Sequence, residues 1–365
     1  MKKHLHLDGK NIYIVVTGCN AVKRIKELIE PLQMDGANCF LIPTPSAVDI
    51  MKKNLKYYSE CDVCLNTDFS VHHKIPEEDL VVVAPCSFNT ANKIALGIAD
   101  NYAMSLTQTA IGKKKPVILS FSMNEGLWNH FAFQENLNKL SKAKNITGIW
   151  PEFLYEGSQF SRLTMAPFEK TIDTIYKTFG ALRYEEIQAK KSQDFDKIIE
   201  SNAAEFIHCG RQLQENNFVR QTAGCIGKKI DEGILVSTTG AKIGELTKEN
   251  ISLIKSCDDN TVIWQGDFPP TSESLLLFCI FKNLLDSYLI HTHDTKITYD
   301  PRLHHLQTKN YVETGRTASS GEIIDILNRH DGVAVLKLHG QIATSNSFQT
   351  AMKKLLDLRQ SLIKE

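Results

Sequence analysis

Apolar and polar positions along this chain follow two rhythms. Asn11–Val16, Asn38–Ile42, Leu80–Ala84 and Pro116–Phe121 are apolar runs without polar alternation, the pattern of strands covered on both faces. Between them lie stretches of helical spacing. Ala21–Leu32 carries Val22, Ile25, Leu28, Ile29 and Leu32 on one side, and another helix starts at Ala47. Strands alternating with helices predict an α/β fold, a doubly wound parallel sheet.

The second half has a different texture. Phe168–Tyr184 reads as helix, and Glu185–Asp196 is charged and aperiodic, which places a domain boundary there: 1–188 and 195–365. Phe195–Asn216 is an amphipathic helix. A strand at Gly233–Ser237 leads through Thr239-Gly240 to a hairpin ending in Thr261–Gln265. Pro269-Pro270-Thr271-Ser272-Glu273 opens the next helix as a capping segment. Tyr288–Ile290 runs into His291-Thr292-His293, and Val333–Leu338 runs as a strand into His339-Gly340 ahead of a last amphipathic helix.

In doubly wound sheets, ligands sit beyond the carboxyl ends of the strands. Those ends carry Thr17-Gly18, Thr44-Pro45-Ser46, Pro85-Cys86-Ser87 and Ser122-Met123-Asn124. Small polar residues there let a phosphate reach backbone N–H groups at helix N-termini. No GxGxxG follows the first strand, so a mononucleotide such as FMN fits better than a dinucleotide.

A second chemistry is suggested near the carboxyl end. Residues i and i+2 of a strand share a face, so His291 and His293 can grip one ion. His339 ends another apolar strand, and Glu273 precedes the HTH segment by one helix. Three neutral imidazoles with an open position suit catalytic Zn2+, and a nearby carboxylate suits proton transfer. His304, His305 and His330 remain alternatives, with His304-His305 in a polar, solvated stretch.

Composition narrows the class. The chain has 365 residues, enough for two domains, with 42 Lys+Arg against 42 Asp+Glu. Zero net charge argues against nucleic acid as the main partner. No apolar run is long enough to span a membrane, and the start lacks an apolar signal core, so a cytoplasmic protein is expected. Nine scattered cysteines fit reduced thiols. Cys61-x-x-Cys64 has no second CxxC at zinc spacing and reads as two half-buried thiols.

Residues 1–188 resemble the flavin-containing cysteine decarboxylases, a family that includes phosphopantothenoylcysteine decarboxylase and the lantibiotic peptide decarboxylases. Its PASANT motif is matched by Pro85-Cys86-Ser87-Phe88-Asn89-Thr90, followed by Gly97-Ile98-Ala99-Asp100-Asn101. Its PxMNxxMW motif is matched by Phe121–Trp128, with the Pro and the second Met replaced. The resemblance implies a flavodoxin-like domain in which FMN oxidises a cysteine-like thiol that then loses carbon dioxide. It implies that Asn124 holds the substrate carboxylate and that His72, or His73 after a one-residue shift, assists proton transfer. Asn89 would contact flavin or substrate, and Thr17, Gly18, Thr44 and Ser46 would line the flavin phosphate. Pro85, Ser87 and Met123 would belong to the cofactor walls. The pantothenate-pathway enzymes carry a Cys in a clamp where this chain reads Glu156–Leu163, with no Cys before the family-like Met165-Ala166-Pro167. A product left as the enethiol, or a different thiol substrate, fits that departure.

Residues 195–365 are similar to class II aldolases, sugar-phosphate epimerases and methylthioribulose-phosphate dehydratases, through Pro270-Thr271-Ser272-Glu273, His291-Thr292-His293 and His339-Gly340. That resemblance implies Zn2+ on the three histidines and Glu273 as acid/base. The family's phosphate loop is replaced by Thr222-Ala223-Gly224-Cys225-Ile226-Gly227, without its Asn and Ser. The expectation is a bifunctional enzyme acting on a small-molecule thiol or peptidyl cysteine and on a hydroxy-carbonyl compound. Both resemblances imply a homo-oligomer. A non-catalytic flavoprotein subunit, or a chain with one working half, are the other readings.

Overall fold

The computed structural model describes residues 5–52, 76–156, 159–182, 184–219, 222–258 and 260–363. It divides into two compact units, Met1–Ala181 and Leu182–Glu365.

The first unit holds a sheet of β1 (Asn11–Val16), β2 (Asn38–Pro43), β3 (Leu80–Cys86), β4 (Val117–Phe121) and β5 (Ile146–Ile149), in the order β2-β1-β3-β4-β5. All four pairings are parallel, and the order is that of doubly wound flavodoxin-like sheets. Every residue of β3 and β4 is buried, which explains their unbroken apolar runs. One face is covered by α1 (Lys26–Met34) and, later in the chain, by Phe168–Thr178. After β2 comes α2 (Pro45–Lys52). The opposite face is covered by α3 (Phe88–Leu96) and α4 (Tyr102–Gly112); after the short α5 (Glu125–Trp128), α6 (Phe131–Ser141) completes that layer.

Two details differ from the sequence expectation. The Ala21–Leu32 helix is split into a 3-10 turn at Asn20–Arg24 and α1, the tight first turn common at helix starts. The hairpin β6 (Glu152–Glu156) and β7 (Gln159–Thr164) precedes Phe168–Thr178, which is α7.

The second unit is an eight-stranded sheet. Its strands are β8 (Glu185–Gln188), β9 (Cys225–Ile230), β10 (Gly233–Ser237), β11 (Ile251–Cys257), β12 (Thr261–Gln265), β13 (Tyr288–Thr292), β14 (Val333–Leu336) and β15 (Gly340–Ser345). The order is β14-β15-β13-β9-β10-β11-β12-β8, antiparallel except for β12–β8. Period-two alternation sorts its residues between two cores. Leu235, Ile290 and Ala343 pack with α8 (Phe195–Glu215). Ile234, Leu289 and Ile342 face α9 (Ser274–Asn283). The short α10 (Thr295–Thr298) follows β13. Then α11 (Ser320–Arg329) joins the α9 side and α12 (Phe348–Ser361) the α8 side.

The junction expected between 188 and 195 falls earlier, because β8 pairs with β12 and draws residues 182–188 into the second unit. β8 is an edge strand with mostly exposed side chains, so its charge reflects solvation rather than a linker. The strand expected over Val333–Leu338 stops at Leu336, and the chain turns back through Leu338 at φ +57 into β15. A turn made without Gly, Asn or Asp carries no sequence punctuation.

Candidate functional site

The carboxyl ends of β1, β3 and β4 meet at a cavity of about 990 Å³, at the upper end of the range for small-molecule sites. Gly18, Ser87, Asn89, Met123 and Asn124 line it. A Cβ on Gly18 would sit 2.8 Å from Ser46 Cβ, so glycine allows the first turn of α2 to close against the loop after β1. Thr17, Thr44, Ser46 and Pro85 do not line the cavity. Thr17 is buried; its hydroxyl donates to the Pro85 carbonyl at 2.7 Å and accepts from the Ser87 N–H at 3.1 Å. It ties two loops together.

The cavity walls are built from helix caps. The Ser87 hydroxyl accepts from the Thr90 N–H at 3.4 Å and starts α3. Asn124 Oδ1 accepts from the Leu127 N–H at 2.9 Å and starts α5. That bond uses the amide oxygen and leaves the NH2 group as the donor for a ligand. Trp128 anchors this second wall, with its ring centroid 5.9 Å from Phe121, 5.3 Å from Phe133 and 5.4 Å from Trp150. Burial pushes the Cys86 thiol well above its ordinary value, which leaves it a protonated, buried thiol behind the cavity lining.

Sequence reading missed Lys23 and Arg24, which also line the cavity. It placed them on an amphipathic helix, where paired cations are an ordinary solvated face. Their place in the 3-10 turn brings them to the loop side instead. Met165, from the Met-Ala-Pro segment, closes another part of the lining. His72, His73, Cys61 and Cys64 lie outside the described residues.

The second unit brings its three histidines together. One nitrogen from each of His291, His293 and His339 lies within 4.8 Å of the others. Nε2 of His291 and Nε2 of His293 are 2.8 Å apart. His291 Nδ1 donates to the Gln341 carbonyl at 3.0 Å, so in the neutral ring its Nε2 lone pair faces the cluster. The His339 side chain is 3% exposed; neither of its ring nitrogens makes a well-angled hydrogen bond among the described residues, although its Nε2 lies 3.2 Å from Glu273 Oε1. Converging lone pairs, a carbonyl on the outer nitrogen and an unsatisfied buried imidazole fit a tetrahedral divalent cation such as Zn2+.

Backbone positions this cluster. A Cβ on Gly340 would meet the Thr292 carbonyl at 2.3 Å and His293 Cδ2 at 2.9 Å, so only glycine lets β15 start this close. Glu273 precedes the first turn of α9, and its Oε2 accepts from the Gly315 N–H at 2.9 Å. The Glu273 N–H lies 3.4 Å from the Thr271 hydroxyl, and the Tyr184 hydroxyl donates to the Thr271 carbonyl at 3.3 Å. Burial pushes the Tyr184 phenol well above its ordinary value, so it remains a donor. Burial also raises the carboxyl of its neighbour Glu186 to about 7. Among the described residues, His304, His305 and His330 join no three-residue metal cluster. Sequence reading missed Gly315, Tyr184 and Gln341, none of which has a local motif.

A doubly wound sheet with a ligand cavity at its strand ends, followed by an antiparallel unit with clustered imidazoles, defines a two-part α/β protein. The Flavoprotein pattern matches residues 1–180, and the Class II Aldolase and Adducin N-terminal domain pattern matches residues 204–362. A putative phosphopantothenoylcysteine decarboxylase of Dictyostelium discoideum is 30% identical over 150 residues, covering 37% of this chain and 76% of that protein. The coenzyme A biosynthesis bifunctional protein CoaBC of Thermococcus kodakarensis is 24% identical over 196 residues, covering 52% of this chain and 46% of that protein. The chain belongs to the flavoprotein family of phosphopantothenoylcysteine decarboxylase-like proteins, and carries a class II aldolase and adducin domain after it in sequence.

The chain spans about half the length of the archaeal CoaBC relatives. Among solved structures, a PPC decarboxylase variant complexed with pantothenoylaminoethenethiol is similar at 21% identity and TM-score 0.41, covering 47% of this chain and 100% of that one. An l-fuculose-1-phosphate aldolase from Thermus thermophilus is similar at 17% identity and TM-score 0.36, covering 44% and 90%. No helix among the described residues is long and apolar enough to cross a membrane.

Proposed function

We propose that the chain is a bifunctional enzyme: an FMN-dependent decarboxylase of a cysteine-like thiol and a zinc-dependent lyase of a hydroxy-carbonyl compound. The observation that carries the lyase half is the convergence of His291, His293 and His339 beside Glu273. The cavity at the ends of β1, β3 and β4, with Asn124 on its wall, supports the decarboxylase half.

In the first unit, Gly18, Ser87, Asn89 and Met123 would hold the flavin. Bound FMN would supply the two-electron oxidation of the thiol to a thiocarbonyl, the electron sink that carbon dioxide loss requires. Asn124 would donate a hydrogen bond from its NH2 group to the substrate carboxylate, holding it in place until it leaves as carbon dioxide and its bonding electrons pass to the thiocarbonyl. His72 would exchange the proton at the reacting thiol. Lys23 and Arg24 add positive charge at the same cavity, which favours an anionic substrate.

In the second unit, His291, His293 and His339 would hold the metal. Bound Zn2+ would supply Lewis-acid polarisation of a carbonyl oxygen. Glu273, fixed by the Gly315 N–H, would move a proton at the carbon or hydroxyl oxygen next to that carbonyl. Thr222–Gly227 lacks the phosphate-loop Asn and Ser, and its Cys225 already belongs to β9.

The test is a screen of purified protein against N-acyl cysteines and hydroxy-ketones. The expected result is carbon dioxide release with flavin bleaching for the first set and cleavage or dehydration for the second. Flavin that stays oxidised with every thiol supports a binding subunit instead. Hydroxy-ketones left untouched by zinc-loaded protein support a second unit that acts as a scaffold.

A further inference from the structure

β15 carries a residue that its place in the sheet does not call for. Gln341 is fully buried, 0% exposed, opposite Thr292 in the β13–β15 ladder. Such positions normally hold apolar side chains, and burying an amide is costly without hydrogen bonds. Gln341 has them. Its Nε2 donates to the Thr292 hydroxyl at 2.6 Å, and its Oε1 lies 3.1 Å from the Thr298 hydroxyl. The single Thr298 hydroxyl proton is shared between Gln341 Oε1 and the Asp294 carbonyl, which lies 2.8 Å away. The amide therefore joins the residue between His291 and His293 to the short helix just after them.

The geometry has two sides. Alternation places Thr292 and Gln341 on the face shared with Ile290 and Ala343, which pack with α8 and α12. His291 lies on the opposite face with Leu289 and Ile342, the α9 side where Glu273 sits. Gln341 thus grips the His291–His293 segment from behind, while its main-chain carbonyl accepts from His291 Nδ1. A rigid imidazole pair 2.8 Å apart at Nε2 requires a strand end that cannot twist or fray.

We propose that Gln341 is the positioning residue of the imidazole centre, holding Thr292 and α10 so that His291 and His293 converge. The proposal rests on the reading of that centre as a metal site. It is tested with the full chain by two variants, Gln341→Met and Gln341→Met combined with Thr292→Val, with zinc affinity measured by chelator competition and thermal melting followed on the metal-free protein. Gln341→Met keeps the main-chain carbonyl that accepts from His291 Nδ1 and removes only the side-chain support behind it, so zinc binding is expected to weaken by about tenfold, the low end of the cost of disturbing groups behind a metal ligand. Its melt should fall, because the Thr292 hydroxyl is left buried without its donor. The double variant removes both polar partners, so its metal-free melt should recover while zinc affinity stays weakened. Wild-type affinity in either variant, or recovery of affinity together with the melt, overturns the role. A wild-type chain that holds no zinc overturns the metal reading and the role with it.

Discussion

The two units build their sites by opposite means. In the first, backbone does most of the work: loops at the ends of parallel strands, capped by Ser87 and Asn124, surround a wide cavity. In the second, side chains at the ends of antiparallel strands converge in a cluster supported by Gln341, Tyr184 and the Gly315 N–H. A backbone cradle suits a large cofactor whose own chemistry does the work, and its walls tolerate side-chain change. A side-chain cluster suits a single ion and depends on each buried partner.

The largest expected effects break the two sites separately. Glu273→Gln should lower lyase turnover by about 10²–10⁴-fold, the worth of a positioned acid or base, without loss of bound zinc. Asn124→Asp should lower decarboxylation by a similar factor while lyase turnover stays at wild type. Steady-state rates of both reactions on both variants check this; loss of both activities in either variant would show that the sites are coupled.

Next comes the support behind the histidines. Arg359 of α12 donates from Nε to Asp294 Oδ2 at 2.7 Å, caps carbonyls at Asn216 and Asn217, and stacks 3.5 Å from the Phe218 ring centroid. With side chains 18% and 8% exposed, the Arg359–Asp294 pair is largely buried. Arg359→Ala leaves Asp294 charged without its partner and should cost about 2–3 kcal/mol, near the lower end for broken buried pairs. Urea melts of the full chain check this, and the second unit should unfold first.

Glu186 gives a smaller, pH-dependent effect. Its folded carboxyl titrates near 7, above the ordinary 4.5, because burial disfavours the charge. Between those values the folded state binds more protons than the unfolded one, so the contribution is full below about 4.5 and is lost as pH rises through 7. Glu186→Gln should leave stability unchanged at pH 4.5 and raise it by about 1–2 kcal/mol at pH 8, after allowance for partial exposure. Equal denaturation midpoints at pH 8 would contradict this. Smallest is Ser87→Ala, which should cost about 1 kcal/mol through the lost cap of α3, read as a thermal shift of the metal-free and flavin-free protein.

How much of this was legible in the sequence differs between the units for the same reason. Buried parallel strands write themselves as unbroken apolar runs, so β1 to β4 and their polar ends could be read directly. The edge strands β5 and β8 could not, because exposure gives them the composition of loops. The histidines and Glu273 were legible as residue types at characteristic places. Their supports were not: Gln341, Tyr184 and Gly315 act through long-range pairing that no local pattern encodes. Lys23 and Arg24 were hidden differently, since a short tight turn rather than a full helix turns them toward the cavity. Thr17, Thr44 and Ser46 lie where the strands end but do not line the cavity; Thr17 instead ties the loops after β1 and β3 together.

The most direct test of the two-site account is the metal and flavin content of one preparation, wild type beside His291→Ala, by elemental analysis with flavin absorbance as internal control. The account predicts about one zinc per wild-type chain, as three converging imidazoles require. It predicts that His291→Ala loses the zinc and keeps the full flavin signal. Zinc retained by His291→Ala, or flavin lost along with it, would contradict two separate sites built as described.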